Sequence, residues 1–209
     1  PPSAGEVTLG GGTPLLFGAR WGDVESAALF LDAGAGVDEI LADGTSALTL
    51  AVHSGHPALA TLLLDRGANP NIIGSGYAAL HAAVLRGDRA LVNALLGKGA
   101  VVNSRLRNGT ATTRASREYF LTDALIGATP LLLAAKFLEI EIMDALLARG
   151  ADPGATLQDG STMLMLAAGT GSQARLFDRG ERMAVLKDSD EPLAIVAAQR
   201  AIDRRADVN

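Results

Sequence analysis

ATPLLLAAK, residues 128–136, decides the fold because its phrasing returns along the chain: TPLLFGAR at 13–20, SALTLAVH at 46–53, AALHAAVL at 78–85 and TMLMLAAG at 162–169. With the Thr-like residue of each phrase as position zero, the register points are Thr13, Ser46, Ala78, Thr129 and Thr162, spaced by 33, 32, 51 and 33 residues. Three spacings share one period, and the fourth is that period plus 18. A fixed period of roughly 20–50 residues is the mark of stacked structural units.

Later positions hold the register. Nine residues after zero stand Gly22, Gly55, Gly87, Leu138 and Gly171. Paired apolar residues follow at Phe30-Leu31, Leu63-Leu64, Leu95-Leu96 and Leu146-Leu147, then Gly34-Ala35, Gly67-Ala68, Gly99-Ala100 and Gly150-Ala151. Asp38, Asn71 and Asn103 close their units. Each feature has a physical reading. A Thr or Ser hydroxyl caps a helix N-terminus, and Pro14 or Pro130 suits the first turn, where no N–H is required. A short helix follows, and glycine ends it by accepting the left-handed conformation. A second helix buries the paired leucines. Between units, Asp43-Gly44, Gly74-Ser75-Gly76 and Asp159-Gly160 carry hairpin chemistry.

The pattern resembles the ankyrin repeat, whose signature runs Thr-Pro-Leu-His, Ala-Ala, Gly-His, Leu-Leu, Gly-Ala and Asn. TPL at 13–15, GH at 55–56, LHAA at 80–83 and TPL at 129–131 carry the resemblance, which covers almost the whole chain. It implies an all-α repeat: an ankyrin-type α-solenoid of stacked helix-turn-helix units with hairpin loops. One unit cannot bury its own apolar face, so neighbours stabilise each other. The expected organisation is a single domain, 1–209, with repeats at 11–43, 44–75, 76–126, 127–159 and 160–209. Insertions fall near 104–126 and near 172–190, with the last helix resuming at EPLAIVAAQRAIDRRADVN. Leu138 occupies a glycine position and is expected to distort the turn of unit four. Ile195 and Ile202 would form an apolar face with no following helix pair, so further repeats are expected beyond Asn209.

Composition agrees. Hydrophobic residues reach 48% but aromatics only 4%, a mixture of Ala, Leu and Val suited to closely packed short helices. A formal charge of -5 argues against a nucleic-acid partner, and no apolar run is long enough to insert in a membrane. There is no cysteine for a disulfide or a thiolate metal site. The N-terminal PPSAGEVTLGGG has neither the basic nor the apolar region of a signal peptide. Cytoplasm is favoured, with export after signal removal left open.

No catalytic constellation emerges. His53 and His56 fall three apart but lack a recognisable third ligand, so no metal is expected. His81 matches the signature histidine, which the resemblance makes a structural hydrogen-bonder. GTGSQA at 169–174 contains a glycine pattern of dinucleotide loops, but it follows a helix rather than a strand. NGT at 108–110 is a glycosylation acceptor pattern, relevant to an exported eukaryotic chain. No cofactor is expected.

The expected activity is non-catalytic recognition of another protein or peptide segment by a monomer. The resemblance implies contact through hairpin tips and the concave side of the first helices. Arg20, Trp21, His53, Leu85, Arg86, Lys136 and Phe137 would project there, as would Ser54, Gly169 and Thr170, with Asp43, Tyr77 and Asp159 at the hairpin tips. Arg114 and Arg117 in the first insertion are further candidates for an acidic segment. Two alternatives remain at this point: an intramolecular scaffold or regulatory domain of a larger enzyme or receptor, and an enzyme whose site the insertions build.

Overall fold

The computed structural model describes residues 12–110, 121–169 and 191–203. Among the described residues, ten α-helices form five successive pairs: α1 (Pro14–Trp21) with α2 (Val24–Asp32), α3 (Ala47–Ser54) with α4 (Pro57–Asp65), α5 (Ala79–Arg86) with α6 (Arg89–Gly97), α7 (Pro130–Lys136) with α8 (Ile140–Ala148), and α9 (Met163–Ala167) with α10 (Glu191–Asp203). The odd-numbered helices make one row in which each touches the next, and the even-numbered helices make a second row. Leu63, Leu95 and Leu146, from three different units, lie fully buried in one continuous core. The fold is therefore an all-α stack, in which each pair shields the apolar side of its neighbours.

The register residues act first on their own backbone. Hydroxyls of Thr13, Ser46, Thr129 and Thr162 accept the N–H groups of Leu16, Thr49, Leu132 and Met165 at 3.4, 3.1, 3.4 and 3.3 Å. Ala78 has no hydroxyl to offer. There the ring of His81 substitutes in part, since its Nδ1 accepts the Ala78 N–H at 3.2 Å while Nε2 meets the Ser104 carbonyl at 3.1 Å. Because a carbonyl only accepts, the proton sits on Nε2. Burial holds the His81 pKa down at about 4, against opposing hydrogen bonds to the Ser104 carbonyl and with other backbone groups, so the ring is neutral.

First helices end on left-handed Gly22, Gly55 and Gly87. In unit four Leu138 adopts that same conformation at φ 57, the one non-glycine among the described residues to do so. The turn keeps its form: the Glu139 N–H reaches the Ala134 carbonyl at 2.9 Å, as His56 reaches Ala51 at 3.0 Å. Leu138 thus absorbs backbone strain instead of distorting the turn. Unit five departs from expectation. Its first helix stops at Ala167, and Gly169 adopts a left-handed conformation at φ 67, while Gly171 lies outside the described residues.

Units are stitched at several levels. Asn71 donates to the Gly99 carbonyl at 2.9 Å and accepts the Val101 N–H at 2.8 Å, and Asn103 does the same with Gly150 and Asp152 at 3.1 and 2.9 Å. A side-chain amide both donates and accepts, so one residue clamps two backbone groups of the next unit. Asp38 lacks the donor and only accepts, from the Asn69 N–H at 2.8 Å. Along the second row run ion pairs Arg66–Asp32, Lys98–Asp65 and Arg200–Asp144 at 2.7, 3.0 and 2.9 Å. They are well solvated, so each contributes about 0–1 kcal/mol.

The inter-unit loops are short antiparallel hairpins, with isolated bridges Ile40–Ser46 and Thr156–Thr162. The first insertion extends one of them. Leu106 and Ala128 pair at its base, Gly127 donates back to Leu106, and Thr110 pairs with Leu121 further out, each backbone bond at 2.8 Å. Leu106, Leu121 and Leu125 are buried, which fixes this root to the stack. Residues 111–120 and the second insertion, 172–190, lie outside the described residues.

Candidate functional site

The expected contact surface runs along the ends of the first helices and the hairpin tips, and the structure sorts its residues into distinct groups. Arg20 and Trp21 close α1 and are exposed, Trp21 at 74% of its surface. The carbonyl of Arg20 is held by the His56 ring of the next unit, whose Nε2–H donates at 3.0 Å. That ring fills the space a side chain on Gly22 would need. The backbone under Trp21 is thus pinned while its indole faces outward. Asp43 and Asp159 are also exposed at hairpin tips, each turning its carboxylate onto the N–H two residues on, at 3.0 and 2.9 Å. Their first role is to shape the turn.

His53, Leu85 and Tyr77 do not project. All three are buried. For His53 and Leu85 the reason is that α3 and α5 each have a first-row helix on both sides, which leaves little of either helix facing solvent. Tyr77 lies past the hairpin tip and turns back into the stack. Its hydroxyl stands 3.4 Å from His53 Nδ1 and is hydrogen-bonded by Thr110 in the root of the first insertion. Burial pushes the Tyr77 phenol up to about 12, a shift that the Thr110 hydrogen bond opposes. Tyr77 therefore anchors the insertion, a role its place beside two glycines hid from sequence reasoning.

Arg86 is half-buried, and its guanidinium donates through Nε to the His53 carbonyl at 2.9 Å while lying over Gly55. It serves as another stitch between units. Lys136 and Phe137 are half-buried, with Phe137 packed against the core. Arg114 and Arg117 fall outside the described residues, as does Thr170. Of the insertion's arginines, Arg105 donates to the carbonyls of Gly127 and Thr156 at 3.2 and 3.0 Å, which ties two hairpins together.

Sequence reasoning missed three exposed apolar side chains in the first unit, Phe17, Leu29 and Ile40. Phe17 occupies a register position where later units carry Leu50, Ala82 and Leu133, all buried, so its periodicity reads as core. The available signal was its place in the first unit of the stack.

The two neighbouring histidines turn to different partners, His53 toward Tyr77 and His56 toward Arg20. Among the described residues no three His, Asp or Glu side chains are grouped as a metal would need. No described helix is long and apolar enough to cross a membrane. A cavity of about 260 Å³ between the second and third hairpins is lined by Asn71, Ile73, Val101, Arg105 and Arg107 among others, without a histidine or carboxylate. It brings together no acid–base pair, whereas a hydrolytic or transfer site requires converging titratable groups.

Comparison with known proteins agrees with the geometry. The description "Ankyrin repeats (3 copies)" matches residues 15–106, and "Ankyrin repeat" matches residues 126–156. No curated protein matches the chain.

Proposed function

Since this chain belongs to the ankyrin-repeat family, we propose that it is a non-catalytic recognition module that binds another protein through the exposed end of α1 and the neighbouring hairpin tips. Ankyrin repeats are in general protein–protein interaction modules, and the finer reading rests on one observation: Trp21, 74% exposed, stands on backbone that His56 holds in place. A large indole left in water costs apolar hydration that a partner relieves, and Trp and Arg are the residues that concentrate binding energy at interfaces. Arg20 beside it favours a partner segment that is apolar with an acidic flank. Asp43 contributes at the rim.

The partner is found by capture with the intact protein, compared with a Trp21→Ala/Arg20→Glu variant that keeps the same helical spectrum. The expected result is a specific partner lost in the variant, with affinity reduced by at least tenfold, the scale of about 1.4 kcal/mol or more typical of a hot-spot residue. Unchanged affinity for a partner that wild type binds stoichiometrically would overturn the reading.

A further inference from the structure

We propose that the cavity between the second and third hairpins is an anion site for an acidic side chain on a segment of another protein, an aliphatic neighbour of that side chain resting on Ile73 and Val101. The site shares no residue with the Trp21 surface and does not depend on it.

Charge is the first observation. The chain carries a formal charge of -5, yet among the described residues the charged ones lining this cavity are both cationic, Arg105 and Arg107. Both are exposed, and Leu106 between them is buried. Alternate residues of extended backbone share a face, so burial of Leu106 sets the two arginines together on the open side. An anion between them offsets their mutual repulsion.

Unused donors are the second. Arg105 spends Nη1 on the carbonyls of Gly127 and Thr156, at 3.2 and 3.0 Å. A guanidinium carries five N–H donors, so Nε and Nη2 remain for a ligand. Arg107 makes no side-chain hydrogen bond or ion pair among the described residues. The hydroxyl of Ser104, in the same lining, is buried without a hydrogen-bond partner, which is costly until an acceptor meets it. A carboxylate offers two acceptor oxygens and pairs with guanidinium in charge-assisted bonds.

Apolar lining and volume identify what bears the carboxylate. Ile73 and Val101 border the same space, and Val101 is 52% exposed. A bare inorganic anion leaves that surface wet, whereas an acid beside an aliphatic side chain covers it. The volume of about 260 Å³ falls below the roughly 300–1,000 Å³ of small-molecule and cofactor sites. It suits one or two side chains of a passing chain.

The site is also held in place before a ligand arrives. Backbone bonds fix Leu106 to Ala128 and Gly127 at 2.8 Å, and the Arg107 N–H donates to the Gly76 carbonyl at 2.7 Å. The His81 ring holds the Ser104 carbonyl, and the Asn71 amide clamps the Val101 N–H. Little ordering is left for binding to bring about.

The probe is the blocked tripeptide acetyl-Leu-Glu-Leu-amide, titrated into the isotope-labelled full chain and followed by NMR, beside its Gln counterpart and inorganic phosphate. The Glu peptide is expected to give saturable shifts at the Val101 N–H and the Arg107 side-chain N–H, with the Trp21 indole unmoved. The Gln peptide and phosphate are each expected to bind at least about tenfold more weakly, and added salt to weaken the Glu peptide. Arg107→Gln is expected to abolish the shifts while keeping the wild-type spectrum elsewhere, and Arg107→Glu, the second variant, to do the same. Equal binding of the Gln peptide or of phosphate overturns the proposal, as does unchanged affinity in both variants or a lack of saturable shifts. Shifts centred on Trp21 instead would overturn this site and support the recognition surface on α1, so the two readings fail separately.

Discussion

His81 shows how one side chain ties a local cap to the stack. Its ring satisfies the Ala78 N–H in its own unit and the Ser104 carbonyl in the following loop; the first bond requires a neutral ring with Nδ1 unprotonated, the second a proton on Nε2. Burial lowers its pKa from 6.5 to about 4 in the folded state. The unfolded chain therefore takes up this proton first as pH falls, and the folded state loses relative stability between pH 6.5 and about 4. The slope from this residue is about 1.4 kcal/mol per pH unit. Urea unfolding of wild type and His81→Gln across that range is expected to show a steeper acid loss in wild type. Parallel pH profiles would contradict this account of the ring. Leu138 makes a second point at this scale: a left-handed leucine costs roughly 1–2 kcal/mol, yet it remains because the turn around it is fixed by the same backbone bonds as its glycine counterparts.

At the scale of elements, the hairpins are held by close backbone approach as much as by turn chemistry. Gly44 has φ +83, and a Cβ there would lie 2.6 Å from the Gly74 carbonyl carbon of the next hairpin. Gly34 has φ +95, but a Cβ would meet nothing within 4 Å. The pair separates conformational strain from contact. Gly34→Ala is expected to cost roughly 1–2 kcal/mol for the left-handed backbone alone. Gly44→Ala should cost roughly 3–4 kcal/mol, since backbone in the neighbouring hairpin must also move. Equal losses in urea midpoints would show that the two tips do not need their close approach. The root of the first insertion obeys a similar logic: buried Leu106, Leu121 and Leu125 secure the extended hairpin while Tyr77 and Thr110 bond across its base.

For the whole molecule, stability is distributed along a line. Each pair contacts its immediate neighbours, so protection from solvent depends on how many sides of a unit are covered. Native-state hydrogen exchange is expected to rank α3, α5 and α7 as slowest, with α1 and α10 opening first. Leu95→Ala, in a fully buried central position, should remove roughly 2–5 kcal/mol and lower protection in the flanking units too. Exchange slowed equally in α1 and α5, or a loss confined to unit three, would argue against nearest-neighbour coupling.

The repeat period, the capping hydroxyls, the glycine stops and the paired leucines made the stack legible from sequence, because each acts within its own unit and returns at a fixed spacing. The described part of α10, Glu191–Asp203, lies within the stretch where the sequence resumes the last helix. Exposure was another matter. His53, Leu85 and Tyr77 occupy positions that read as rim, but flanking helices cover two and the insertion root engages the third; Phe17 reads as core and is half exposed, α1 meeting a single first-row helix, α3, among the described residues. Local chain chemistry sets what a residue does to its own backbone, and so the fold. Which side chains remain free to meet another molecule depends on what packs against them from elsewhere in the chain, and only the tertiary structure decides that.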